Sequence, residues 1–271
     1  MADSLFYPFR VMRITQTYNG GTSHYGHSRG SPRDYPIDEA GADGGRDPMY
    51  APCDLRIVRI WGVDGKGVNT LFCESVGRVR LANGKASAIA MQITHPNDDD
   101  LRTLRVGQRI EKGRVLCREG SDGASGSHIH LSVGCGRLQN GGWIKNSRGK
   151  WVLTATGGPL KPEEAFWIDP FFTRVLNDGG LPFCTLPQER CCRLFRVTAP
   201  LLNVRAGPGT QYAAKPFAAL SANAQQQILA LRGVKCNGYV RGVLFTARAV
   251  SGNWASTDSG WVCLDYCEAC P

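Results

Sequence analysis

Ser127-His128-Ile129-His130-Leu131-Ser132-Val133 is the stretch on which the reading of this chain turns. Successive side chains of a strand point to opposite faces, so Ile129, Leu131 and Val133 form one apolar row while His128, His130 and Ser132 share the other face. Two imidazoles then project side by side. That pattern suits a metal pair, and it equally suits two solvated histidines on the open face of a sheet. The stretch follows a loop rich in glycine and serine, Gly120-Ser121-Asp122-Gly123-Ala124-Ser125-Gly126. Further out, the runs from Tyr50 to Ile60 and from Ala88 to Thr94 also alternate or are β-branched, as half-buried strands are. With 33 glycines and 15 prolines punctuating such runs, the expected fold is mostly β. A short helix is expected over Leu160 to Phe166, where Pro162, Glu163 and Glu164 suit a helix start.

A chain of 271 residues suits two domains. All five histidines (His24, His27, His95, His128 and His130) fall in the first 130 residues, so histidine chemistry belongs to the first domain. The turn residues Asn177-Asp178-Gly179-Gly180-Leu181-Pro182 open a linker. The expected division is a first domain over 1–178, a linker over 179–192 and a second domain over 193–271.

The formal charge of +9 favours an anionic partner. The basic residues are scattered, with no arginine-rich arm, zinc-finger spacing or aromatic ribonucleoprotein motif, so no nucleic-acid partner is expected. The longest apolar runs, such as Gln227 to Leu231, fall far short of the roughly 20 residues a membrane-spanning helix needs, and no membrane partner is expected. Met1 to Pro8 has no basic segment followed by an apolar one, so no secretory signal is expected. Eleven cysteines are read as structural residues, reduced or in a few disulfides around Cys184, Cys191, Cys192, Cys263, Cys267 and Cys270. A structural zinc on Cys267 and Cys270 with Cys191 and Cys192 is the competing reading.

Five elements appear in order along the first domain: Ser23-His24-Tyr25-Gly26, Tyr35-Pro36-Ile37-Asp38, Tyr50-Ala51-Pro52, Thr94-His95-Pro96 and His128-Ile129-His130. Together with the approach Val106 to Gly113, they resemble the lysostaphin-like zinc endopeptidases over roughly residues 10 to 170. The resemblance implies an antiparallel β-sheet metallopeptidase domain. It also implies that His24, Asp38 and His130 hold Zn2+, with His95 and His128 assisting the reaction: His128 as general base, His95 as donor to the oxyanion or leaving amine. The chain departs from the family at one place. The family's first histidine lies four residues before the aspartate, and position 34 here is aspartate. His24 is the expected ligand for its Ser-His-x-Gly setting, with His27 and Asp34 left as alternatives. Asp38 has a competing reading as a surface acid or turn cap, and His95 as a plain loop histidine.

Leu202-Asn203-Val204-Arg205-Ala206-Gly207-Pro208-Gly209 near the start of the second domain and Gly260-Trp261-Val262 near its end resemble a bacterial SH3-like domain, a small β-barrel that in that family usually binds cell-wall peptide or glycan. The two resemblances imply a peptidoglycan hydrolase that cuts stem or cross-bridge peptides with zinc-activated water. Its partner is bacterial peptidoglycan, and its setting is that of a phage endolysin held in the host cytoplasm until release. The alternatives are a catalytically inactive wall-binding or activator protein of the same fold and an N-acetylmuramoyl-L-alanine amidase.

Overall fold

A computed structural model of the protein describes residues 3–42, 45–63, 65, 67–186 and 193–270. Its contacts group into two units, one of residues 1–169 with 175–185 and one of residues 170–174 with 186–271. The architecture is mostly β, as expected.

The first unit is built on a nine-stranded sheet. In chain order its strands are β1 (Val11–Gln16), β2 (Ile37–Glu39), β3 (Leu55–Trp61), β4 (Thr70–Ser75), β5 (Ile89–Thr94), β6 (Arg109–Ile110), β7 (Ile129–Cys135), β8 (Pro159–Leu160) and β9 (Arg174–Asn177). Across the sheet they run β9-β1-β2-β7-β5-β4-β3-β6, and β8 also pairs with β7. The registered pairings among β1 to β8 are antiparallel. Strand β7, the stretch that opened the sequence reading, is therefore central. Ile129, Leu131 and Val133 are fully buried in the core with Ile37 of β2 and Met91 and Ile93 of β5. Each such side chain contributes about 1.5–3 kcal/mol through its removal from water, and a slip of one residue would turn all three to the wrong face. That burial locks the register in which His130 stands opposite Asp38 on one side and Thr94 on the other.

The other face of β7 is not open to solvent. Ser132 is fully buried, which removes the reading of two solvated histidines on a bare sheet. A hairpin of Leu138–Lys145 and Trp151–Ala155 packs there. Its pairing shifts register between Leu138 and Trp143. Gly142 sits inside that shift at φ 107°, where a Cβ would lie 2.6 Å from the Phe72 ring, so only glycine lets the hairpin approach β4 this closely.

Strand β2 is fixed from its core side by Glu39. Its carboxyl accepts from the Tyr7 hydroxyl, from Arg13 N at 2.7 Å and from Gly41 N at 3.2 Å. Burial pushes this group up to about 7, against those hydrogen bonds. Because side chains alternate along β2, an anchored Glu39 turns Asp38 to the opposite face.

Three helices accompany the sheet: α1 (Gly21–Arg29), α2 (Asp98–Thr103) and α3 (Pro162–Ala165). The last coincides with the expected helix start at Pro162. Helix α1 was not expected. Its sequence, Gly-Thr-Ser-His-Tyr-Gly-His-Ser-Arg, has no amphipathic pattern, and it is held by tertiary bonds such as Asn146 Nδ2 to Gly26 O at 2.9 Å.

The second unit has its own core, with Val197, Val204, Ile228, Val243, Ala255 and Val262 buried in it. Two three-stranded sheets contribute, one of Arg193–Val197, Leu244–Ala247 and Cys267–Ala269, the other of Ala249–Ser251, Trp254–Ser256 and Trp261–Cys263. The two marks singled out in the sequence meet here: Arg205 and Trp261 exchange both backbone hydrogen bonds at 2.8 Å. The apolar run Gln227 to Leu231 lies in helix α4 (Ala222–Arg232), capped by Ser221 and closed by Gly233 in the left-handed conformation.

The nine described cysteines are free thiols, Cys184, Cys263, Cys267 and Cys270 among them. Cys191 and Cys192, on which the second cysteine pair depended, lie outside the described residues. No described helix is long and apolar enough to cross a membrane.

Candidate metal centre and its cleft

His24 projects from α1, Asp38 from β2 and His130 from β7, and their ligand atoms all lie within 4.8 Å of one another. His24 Nε2 is 3.1 Å from Asp38 Oδ1 and 3.1 Å from His130 Nδ1. His130 Nδ1 is itself 3.1 Å from Asp38 Oδ1. The second nitrogen of His24 explains the first. Nδ1 lies 3.1 Å from the Thr17 carbonyl oxygen, which can only accept. Nδ1 therefore carries the proton and Nε2 turns a lone pair inward. Asp38 is an acceptor as well. Burial raises its carboxyl, but the two imidazoles beside it, His130 foremost, prevail and hold it well below the ordinary carboxylate range. Burial pushes the His130 imidazole down to about 4, against the opposing pull of Asp38, so at neutral pH it is uncharged, the form that ligates metal.

His24 Nε2 and Asp38 Oδ1 thus face one another as acceptors beside the uncharged imidazole of His130, a convergence that a cation would satisfy. With two nitrogens and an oxygen at zinc distances of about 2.0–2.1 Å, the edges of a tetrahedral site are about 3.3 Å, close to the separations found here. The donor set fits zinc and leaves a fourth position open.

His27 and Asp34, the alternatives for the first ligand, are engaged with each other. His27 Nδ1 is 2.8 Å from Asp34 Oδ1. The other carboxylate oxygen of Asp34 accepts from Ser132 Oγ at 2.8 Å and from Leu153 N at 2.9 Å. The pair ties helix α1 to β7 and to the hairpin beyond it. The irregular spacing between His24 and Asp38 is taken up by the helix and by this buried bond.

The remaining two histidines stand beside the cluster. His128 Nδ1 lies 2.9 Å from the Gly126 carbonyl oxygen, and its Nε2 is 3.7 Å from Asp38 Oδ1. The His95 and His128 rings are 4.7 Å apart. His95 Nδ1 is 2.6 Å from the Asp122 carbonyl oxygen, and burial lowers the affinity of its ring for a proton. His95 is held at φ 66°, a conformation that costs a non-glycine residue of order 1–3 kcal/mol and that clusters at working sites. Gly120 makes the juxtaposition possible. It bridges to His128, and a Cβ there would lie 2.9 Å from the His95 carbonyl oxygen.

His130, His95 and His27 border a cleft of about 470 Å3. Its walls include Trp61, Trp143 and Trp151, its polar lining Gln92, Thr94 and Lys150. These residues were not expected from sequence. The available signal was a glutamine in an otherwise apolar strand, and two tryptophans flanking the Asn146 to Gly149 turn.

No protein-family model matches the sequence, and no curated protein matches it. Among solved structures, the chain is similar to a zinc-containing peptidase from Vibrio cholerae at 18% identity and a TM-score of 0.31, over 49% of this chain and 36% of that one. It is similar to the catalytic domain of the antimicrobial peptidase lysostaphin from Staphylococcus simulans at 16% identity and a TM-score of 0.29, over 49% of this chain and 81% of that one. Against lysostaphin itself the identity is 11% and the TM-score 0.35, over 93% of this chain and 87% of that one.

Proposed function

We propose that the protein is a zinc-dependent peptidoglycan hydrolase that cuts peptide bonds of the bacterial wall, with a C-terminal SH3-like domain that binds the wall. The observation that carries this reading is the convergence of His24 Nε2, Asp38 Oδ1 and His130 Nδ1 at mutual distances of 3.1 Å, beside two further imidazoles and a cleft. His24, Asp38 and His130 are the proposed ligands. Bound there, zinc would supply Lewis acidity, lowering the pKa of a water to about 7 and polarising a peptide carbonyl.

The chain's own groups do the rest. His128 keeps its Nδ1 proton on the Gly126 carbonyl and faces the cluster through Nε2, so Nε2 is a base placed to take a proton from the attacking water. His95, whose Nδ1 proton is likewise engaged, is uncharged at neutral pH. It becomes a donor to the oxyanion or the leaving amine only after gaining a proton, and the His128 ring beside it is a group that can pass one on. Asp34 and Thr17 act by position: one fixes α1 against β7, the other fixes the tautomer of His24. In the second unit, the pairing of Arg205 with Trp261 joins the two sequence marks that suggest an SH3-like domain.

Digestion of purified peptidoglycan with and without a zinc chelator, followed by mass spectrometry of the fragments, tests this reading. New peptide ends that vanish with chelator and return with zinc are expected. Free lactyl ends would make the enzyme an amidase, and intact walls that retain the protein would make it a binding module.

A further inference from the structure

The cleft beside the metal cluster has a chemistry that a chain of glycines cannot use. Trp143 is packed between Trp61, at 6.1 Å between ring centroids, and Trp151, at 5.4 Å. Phe72 stands edge-on behind it at 5.1 Å. Arg59 lies over the Trp61 and Trp143 rings and is pinned by a hydrogen bond to Gly141 O at 2.7 Å. The rings are thus held in place before any ligand arrives, yet Trp61 and Trp151 stay exposed. On the same cleft, Gln92 of β5 sits opposite Ser132 of β7. The residue is 3% exposed, its Nε2 donates to Thr94 Oγ1 at 3.3 Å, and its Oε1 has no partner among the described residues. A buried amide oxygen of this kind calls for a donor, and a peptide backbone lying in the cleft offers one in its N–H groups. Apolar walls with a few placed polar groups are the usual make-up of a ligand site of this size.

We propose that Gln92 and the Trp61–Trp143–Trp151 wall form a substrate subsite that selects peptides bearing an apolar side chain beside the scissile bond over oligoglycine. Gln92 accepts a hydrogen bond from the peptide backbone, and the tryptophans receive the side chain. This rests on the peptidase reading above and narrows its substrate class to wall peptides with side chains.

Two probes separate the contributions: pentaglycine and Gly-Gly-Leu-Gly-Gly, the latter with either hand of leucine, each titrated into the zinc-loaded full chain by calorimetry. At least one leucine peptide binds about tenfold or more tighter than pentaglycine, the gain expected from burying one such side chain. Trp143→Ala and Trp151→Ala each reduce that preference, whereas Gln92→Leu weakens both peptides alike and keeps the preference. Zinc content and circular dichroism verify each variant, and the half-exposed Trp151 provides a substitution that the fold tolerates. Equal affinity for the two peptides, no binding of either, or a preference that survives both tryptophan variants would overturn the wall. Unchanged binding in Gln92→Leu would overturn the role of Gln92. Selective binding with purified walls left uncut would refute the peptidase reading and leave the subsite standing; cut walls without selectivity would do the reverse.

Discussion

His27 Nδ1 lies 2.8 Å from Asp34 Oδ1 in a buried setting, and this bond leaves His24 rather than His27 to serve as the proposed ligand. His24→Ala therefore abolishes stoichiometric zinc binding, while His27→Ala retains the metal and loses stability. Leaving the buried Asp34 Oδ1 without this hydrogen-bond partner costs about 1–3 kcal/mol. Zinc content and urea unfolding of the two variants check the assignment, and loss of zinc from His27→Ala with retention in His24→Ala would reverse it.

His130→Ala and Asp38→Asn each remove a proposed ligand, and both should lose zinc and wall-cutting activity together. His128→Ala leaves the ligands in place. It keeps zinc and loses about 10²–10⁴ in turnover, the usual contribution of a general base. Full activity in His128→Ala would sink its proposed role.

Tyr7→Phe leaves the buried Glu39 without its hydroxyl partner. The expected loss is about 1–3 kcal/mol of stability, read as a lower denaturant midpoint. Because Glu39 sets the orientation of β2, zinc affinity weakens in the same variant, and normal affinity at reduced stability would separate the two effects.

Burial raises the thiols of Cys53 and Cys267 from an ordinary value of 9.0 up to about 12, and it raises Cys73 and Cys117 as well. A folded pKa above the unfolded one means that the unfolded chain gives up its protons first. Stability is then full below about pH 9 and falls as pH rises from there through the folded values. Denaturant midpoints measured between pH 8 and pH 11 should decline over that window, and Cys53→Ala should lessen the decline. At pH 8 a thiol reagent is expected to label the exposed Cys184 quickly and these four slowly.

Phe171 is buried in the core of the second unit, 6.4 Å from the Phe195 ring. Phe171→Ala should cost about 3–5 kcal/mol, and it should lower the unfolding transition of the second unit while the zinc content of the first stays constant. A transition unaltered by the substitution would mean that residues 170–174 contribute little to that core.

The sequence by itself determined the β character of the chain and the core of its central strand. The alternation of Ile129, Leu131 and Val133 around His130 is a local, period-two signal, and hydrophobic burial reads such a pattern directly. It also offered the ordered candidate set of His24, Asp38, His95, His128 and His130, because a resemblance in motif order survives insertions. What it left open was which of His24, His27 and Asp34 faces the cluster, because the segment carrying His24 and His27 has no helical periodicity and becomes α1 only through bonds to Thr17, Asn146 and Asp34. The cleft was hidden for the same reason. Trp61, Trp143 and Gln92 lie on β3, a hairpin strand and β5, and no spacing along the chain records that they share a wall. Only the tertiary structure brings such residues together, since hydrogen bonds and ring contacts are made between groups close in space, and closeness in space here depends on pairings between strands far apart along the chain.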